Sequence, residues 1–247
     1  MLRLIADIAP IDPASGLALD EALLVCAQNS KHDVLRLWVN DRAAVIGRSQ
    51  SAASEVNLDY AAVEHIPVLR RISGGGAVYH YPGNLNLSLV IRDARSLGGV
   101  TTTYQVVGEA LVHALRRVGI DSRVDTNAIM IDEKKIAGAA QVRRGTTLLY
   151  HTTLLVHPPA LSLPRILRAM NPSYSAKFVP SRPREVAFLS QIFPRTTMEQ
   201  LSLALARPIS NLVSAPAKAD ECNEEEIAHA ARLKREKYGS DQWNLYR

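Results

Sequence analysis

Residues 70–84 read RRISGGGAVYHYPGN. Three consecutive glycines lose more backbone freedom on ordering than any other residues, yet they stand between two apolar stretches, PVLRRIS (67–73) and NLNLSLVI (84–91). The first reads as a strand running into the glycines. The second is a cleaner strand, because Leu85, Leu87 and Leu89 alternate with Asn84, Asn86 and Ser88. The setting is therefore strand, loop, strand, which excludes two familiar phosphate loops. No Gly-Lys-Ser/Thr follows at Walker spacing, and a dinucleotide fingerprint would need glycine where Tyr79 stands. The physics holds without the motif: glycines let a backbone approach a ligand closely, and successive N–H groups can form an anion-binding nest. Arg70 and Arg71 are adjacent on a strand and project to opposite faces, so at most one should reach a ligand. Taken alone, the stretch is equally compatible with a glycine turn that closes a hairpin and leaves both arginines in solvent.

Downstream, EKKIAGAAQ (133–141) sets Lys134 beside Lys135 at a strand start, again with one facing inward. Gly138, Ala139 and Ala140 leave room for something to lie against that strand. By itself the segment reads as two surface lysines at a strand end. His151, mid-strand in LLYHTTLL, reads alone as a packed histidine. His80, His151 and His157 form no metal-ligand spacing, no G-x-S-x-G elbow occurs, and neither Cys26 nor Cys222 lies in a nucleophile setting.

The rest of the chain mixes helices and hairpins. A strand spans about 2–8, and Ser15 is placed to cap a helix carrying Leu17, Leu24 and Ala27. DVLRLWV (33–39) and AAVIG (43–47) read as paired strands turning at Asn40-Asp41, and Asn57 caps a short helix. The clearest helix, about 103–118, has an apolar stripe through Val107, Leu111 and Leu115 and stops at Gly119. NAIMI (127–131), IAGAAQV (136–142) and TTLLYHTTLLV (146–156) form a strand series. A proline-punctuated, mainly helical remainder includes a loop at 171–188, a linker-like stretch near 207–219 and an amphipathic helix over 223–244. The pattern predicts an α+β fold, a mixed and largely antiparallel sheet flanked by helices, in one domain. Two distant cysteines exclude a disulfide framework, no apolar run reaches membrane-span length, and the chain reads as cytoplasmic. The 247 residues carry a net charge of +5 without a lysine block, which suits an anionic small molecule or acidic partner and does not announce nucleic-acid binding.

Taken in order, GLALDEALL (16–24), LWVNDRAAVIGRSQSAASEVN (37–57), the glycine stretch, EKKIAGAAQVRRGTTLLYHTTLLV (133–156) and EKYGSDQWN (236–244) resemble the lipoate–protein ligase family of the biotin/lipoate ligase superfamily. The resemblance implies that superfamily's class II synthetase-like catalytic fold over residues 1–247, without the C-terminal accessory domain that many members carry. It implies ATP-dependent activation of lipoate to lipoyl-adenylate, with Mg2+, followed by transfer to a lysine of a lipoyl carrier: a glycine-cleavage H-like protein or a dehydrogenase E2 lipoyl domain. A separate small accessory subunit is a further implied partner; nucleic acid and membrane are not. Carried over by position, Arg71, Ser73, Gly74, Gly75, Gly76, Ala77, Val78 and Tyr79 would line the adenylate with His80 beside them. Lys135, before Ile136-Ala137-Gly138, would hold the carboxylate and α-phosphate oxygens. Asn127 and His151 complete the implied site, and no residue is assigned to the metal.

Three departures stand out. Tyr81 and Ala128 replace family aspartates, and Thr152 replaces a glycine. Alternative functions on the same fold are an octanoyl or lipoyl transferase working through a cysteine thioester, a non-catalytic adenylate- or carrier-binding protein and, more distantly, biotin ligation. The transferase's cysteine belongs in the loop upstream of Lys-Ile-x-Gly, where this chain reads GIDSRVDTN (119–127).

Overall fold

The alternation seen in 84–91 organises the molecule. In the computed structural model, which describes residues 1–246, that segment is strand β6 (Asn84–Ile91) near the middle of an eight-stranded sheet. The sheet order is β11-β1-β2-β6-β10-β9-β8-β7. Its strands are β1 (Leu2–Ile11), β2 (Asp33–Asn40), β7 (Arg123–Asp125), β8 (Ala128–Ile131), β9 (Lys134–Arg144), β10 (Thr147–Leu155) and β11 (Ala217–Ala219). β1 pairs in parallel with both β11 and β2, and every other pairing is antiparallel. The mixed, largely antiparallel α+β expectation is therefore met.

Leu85, Leu87 and Leu89 point into the main core with Leu35 and Leu37 of β2 and Tyr150 of β10. Two helices cover that face: α4 (Val100–Arg117), through Val107, Leu111 and Leu115, and α7 (Met198–Leu212), through Leu201, Leu205 and Ile209. Each such leucine, fully buried, contributes about 1.5–3 kcal/mol. The polar residues of β6 turn to the opposite face, beside α1 (Pro13–Cys26).

A second sheet, absent from the sequence reading, consists of β3 (Ala43–Ile46) flanked by β4 (Val68–Arg70) and β5 (Val78–His80). Three expectations are corrected here. β2 and β3 do not pair, because the chain changes sheets at Asn40-Asp41. The glycine run does not close a hairpin, since β4 and β5 lie on either side of β3 and never meet. The 207–219 stretch is no linker: it contains the end of α7, with Pro208 inside that helix, and strand β11. Asp12, not Ser15, caps α1; its carboxylate accepts from Ser15 N–H and Oγ, with Pro13 preset at the first helical position. Short helices α2 (Ala52–Glu55), α3 (Leu58–Val63), α5 (Leu163–Ile166) and α6 (Leu189–Ile192) fill the connections. The expected 223–244 helix is broken into α8 (Glu224–Leu233), a π-turn and α9 (Asp241–Asn244).

Arg70 explains where the last segment goes. Its side chain is 0% exposed and donates to the carbonyls of Gly47, Arg48, Gln50, Trp243 and Asn244. Its guanidinium lies 4.2 Å from the centre of the Tyr246 ring. Its backbone is tied to the same segment: Arg70 N–H donates to Asn244 Oδ1, and Trp243 Nε1 donates to the Arg70 carbonyl. Replacing it strands several buried carbonyls at once. Arg70→Met is expected to cost at least about 3 kcal/mol, read as a lower urea midpoint, and an unchanged midpoint would show that the clamp contributes nothing.

Candidate active site

Arg71 projects to the face opposite Arg70, as the strand geometry requires, and it is 7% exposed. Its Nη2 donates to the carbonyls of Gly74 (2.6 Å) and Gly76 (2.8 Å), its Nη1 to Val45 O and its Nε to Ser73 Oγ. The glycine loop is thus wrapped around a buried cation. Gly75 has φ +89°, and a Cβ there would lie 3.0 Å from Arg71 Nη2, so glycine is required on both conformational and steric grounds. Gly47 packs against the loop so closely that a Cβ would fall 2.1 Å from Gly75 O. Burial without a carboxylate partner lowers the Arg71 pKa to about 10.

Behind the loop a chain of polar contacts crosses the sheet. Ser73 Oγ accepts from Arg71 and is hydrogen-bonded to His151 Nε2 at 2.6 Å. His151 Nδ1 faces Asp20 at 3.5 Å. Asp20 also receives Ser88 Oγ and pairs with Arg36 at 2.6 Å. Burial pushes the Asp20 carboxyl up, but the hydrogen bond from His151 and the Arg36 charge hold it below the usual range. His80 takes a different route. Its Nδ1 accepts from Asn40 Nδ2, which leaves the proton on Nε2 to donate to Thr153 Oγ1. Burial, together with the charge of Arg71, drives its pKa down to about 3, so the ring is held in the neutral form.

Lys135 reaches the cleft through a bulge. β8 pairs Ile129 with Ala137 but Met130 with Lys135, leaving Ile136 as the extra residue. The shift re-aims Lys135 onto the face of Gly138, where a Cβ would lie 2.4 Å from Lys135 Nζ. The room at Gly138 is therefore taken by Lys135 itself. Lys134 turns outward to Glu185 at 2.8 Å. Burial and the facing charges of Arg184 and Arg71 push the Lys135 ammonium below its ordinary pKa. Asn127, in the β7–β8 turn, donates from Nδ2 to Ala139 O and keeps Oδ1 for other partners.

The 171–188 loop closes the cleft and supplies what the sequence reading missed. Ser181 Oγ donates to Glu55 Oε2 (2.6 Å) and accepts from Gln50 Nε2 and the Ala77 N–H. Tyr174 supports the same knot by accepting from Ser181 N–H. Further along, Lys135 N–H donates to Glu185 O and Ala187 N–H to Lys135 O. The resulting cavity, about 460 Å³, is lined by Arg71, Gly75 to His80, Asn127, Lys135, Gly138 and His151 of the expected residues. Ser73 and Gly74 do not line it: Ser73 lies behind the loop on His151, and Gly74 gives its carbonyl to Arg71. Among the described residues, the lining holds the cations Arg71, Lys135, Arg182 and Arg184 and no carboxylate. Such a surface binds anions, and its backbone loop suits phosphoryl oxygens. Tyr81 donates its hydroxyl hydrogen to His157 O. Thr152 donates to Gly138 O.

Comparison with known proteins agrees with this geometry. The family description for the lipoyl protein ligase A/B catalytic domain matches residues 12–210. Lipoate-protein ligase A subunit 1 of Thermoplasma acidophilum is 33% identical, the match covering 98% of this chain and 96% of that protein. A crystal structure of a lipoate-protein ligase A bound with ATP superposes with a TM-score of 0.86 at 33% identity, over 98% of each chain. The structure of the bi-partite lipoate protein ligase with its E2 lipoyl domain from Thermoplasma acidophilum gives 0.85 at 32% identity, over 99% of this chain and 95% of that one. With a matching family description and a third of its residues shared over nearly its whole length, this chain belongs to the lipoyl protein ligase A/B catalytic-domain family.

Proposed function

We propose that this chain activates lipoate with ATP and passes the lipoyl group to a lysine of a lipoyl carrier protein. The observation that carries this reading is the cleft itself, in which Arg71 and Lys135 face one another with no carboxylate among the described lining residues, over a loop of close-packed glycines. A lipoate carboxylate oxygen attacks the α-phosphorus of ATP and pyrophosphate leaves. The carrier's ε-amine then attacks the acyl carbon of the mixed anhydride, and AMP leaves with the bonding electrons. Lys135 holds the carboxylate and α-phosphate oxygens and stabilises the charge that grows on them in both steps. Arg71 shapes the glycine loop and faces the phosphates. Asn127 contributes its free Oδ1. No covalent enzyme intermediate is involved: Cys26 and Cys222 are absent from the lining, which disfavours the transferase alternative.

A magnesium ion bound with ATP would supply charge neutralisation on the nucleotide phosphates. No group of three or more His, Cys, Asp or Glu that could hold a metal occurs among the described residues. Asp125 is tied to Arg184. The donor set fits an ion that arrives with ATP and takes at most Asn127 Oδ1 from the protein. The chain's similarity to subunit 1 of the bi-partite Thermoplasma acidophilum ligase supports a catalytic domain that works with a separate accessory polypeptide. Two free thiols and the lack of any described helix long and apolar enough to span a membrane support a cytoplasmic setting.

Lipoate-dependent exchange of labelled pyrophosphate into ATP tests the activation step, and no exchange with or without an accessory subunit would refute it. Lys135→Ala is expected to lower exchange and carrier lipoylation by about 100- to 1000-fold, with the circular dichroism spectrum unchanged. Wild-type rates in that variant would remove Lys135 from its role. Ser181→Ala strands Glu55 Oε2 and the Ala77 N–H. It is expected to raise KM for ATP several-fold with a smaller effect on kcat, because it loosens the loop and leaves the cations in place; an unchanged KM would show that the knot does not shape the ATP site.

A further inference from the structure

Leu17, Trp38, Val45 and Asn86, all of them buried, form part of the cleft wall. Asn86 is polar, and its polar neighbours in the lining, Thr153 and His80, are joined to it by hydrogen bonds. In register it stands between Trp38 of β2 and Thr153 of β10, so the three share one face of the sheet. Its Oδ1 is already engaged. Because His80 Nε2–H donates to Thr153 Oγ1, the threonine hydroxyl is free to donate onward to Asn86 Oδ1, at 2.8 Å. That relay fixes the amide orientation and leaves Nδ2 as the group with spare capacity.

Asn86 is 2% exposed, and its Nδ2 has no acceptor on the protein. Other buried polar atoms lack partners, but none of those found among the described residues belongs to another residue of the cleft lining. An unmet buried donor is costly, and a leucine or valine would fill a purely apolar tail pocket without that cost. The side chain is held at a specific angle by the relay, and through Thr153, which pairs with Gly138, it stands two strands away from the glycine against which Lys135 Nζ lies.

We propose that Asn86 Nδ2 donates a weak hydrogen bond to a sulfur at the distal end of the bound acyl group. Asn86 is then the residue that selects a dithiolane-bearing tail over a plain alkyl chain of equal length. Sulfur is a weak acceptor, so the selectivity comes largely from the alternative: an alkyl tail buries the amide with nothing to accept its protons. A site built around a hydrogen bond rejects the analogue that lacks it, whereas an apolar slot barely distinguishes the two. Trp38 beside it offers a ring edge for the same sulfur. This inference rests on the lipoate-activation reading above and narrows it to a tail chemistry.

The test compares lipoate with octanoate on the full chain, by calorimetric binding and by pyrophosphate exchange. The wild-type protein is expected to favour lipoate. Asn86→Leu is expected to weaken lipoate and strengthen octanoate, moving the ratio of the two by about tenfold towards octanoate. Asn86→Ser, which is smaller and puts a short hydroxyl in place of the amide, serves where the leucine variant does not fold, and should shift the ratio in the same direction. A ratio within twofold of wild type in a folded variant overturns the proposal. Binding reads the tail without turnover, so the two ideas fail separately. Wild-type protein without lipoate-dependent exchange sinks the activation reading, and normal exchange with an unmoved ratio sinks the role of Asn86 alone.

Discussion

A buried guanidinium that gives its hydrogen bonds to uncharged oxygens holds this site together. Arg71 reaches Val45, Ser73, Gly74 and Gly76 at once, so a single cation joins the small sheet, the glycine loop and, through Ser73 and His151, the large sheet. Because none of those partners is an anion, the charge is organised without being neutralised. Gly47, Gly75 and Gly76 are the corresponding backbone constraints, since a side chain at any of them would collide with the packing that Arg71 imposes or with Ser181.

The positive field is built by different means on each side of the cleft. Lys135 is turned inward by a one-residue bulge, Arg71 is fixed by loop carbonyls, and Arg184 is tethered to Asp125 at the mouth. Tyr81 and Ala128, where the resemblance implied aspartates, line the cleft without a carboxylate. The described lining is left with cations and no carboxylate. Tyr81 compensates structurally by stacking on Tyr79, with ring centres 5.3 Å apart.

How much of this could be read in advance depended on sequence separation. The alternation of β6, the stop at Gly119 and the opposed arginines are local signals, and each predicted its structural outcome. The three-stranded sheet was illegible because its order, β4-β3-β5, depends on pairings between distant segments with no hairpin to announce them. The Ser181 knot joins residues 126 and 131 positions apart, which no spacing rule detects. Lys135 was found by its neighbours Ile136 to Gly138, but the bulge that aims it leaves no trace in composition. Asp12 and Ser15 are both good caps, and Pro13 at the first helical position is the detail that decides between them.

β6 also ties the reliability of the site to that of the fold. Its odd-numbered leucines enter the main core while Asn86 and Ser88 form part of the cleft side. A one-residue slip against β2 or β10 would exchange the two sets, burying asparagines among the helices and exposing leucines to the cleft. No compact chain could therefore carry a misaligned floor. Folding proofreads the site: a molecule that completes its core has, by the same register, already set out the residues that meet the ligand.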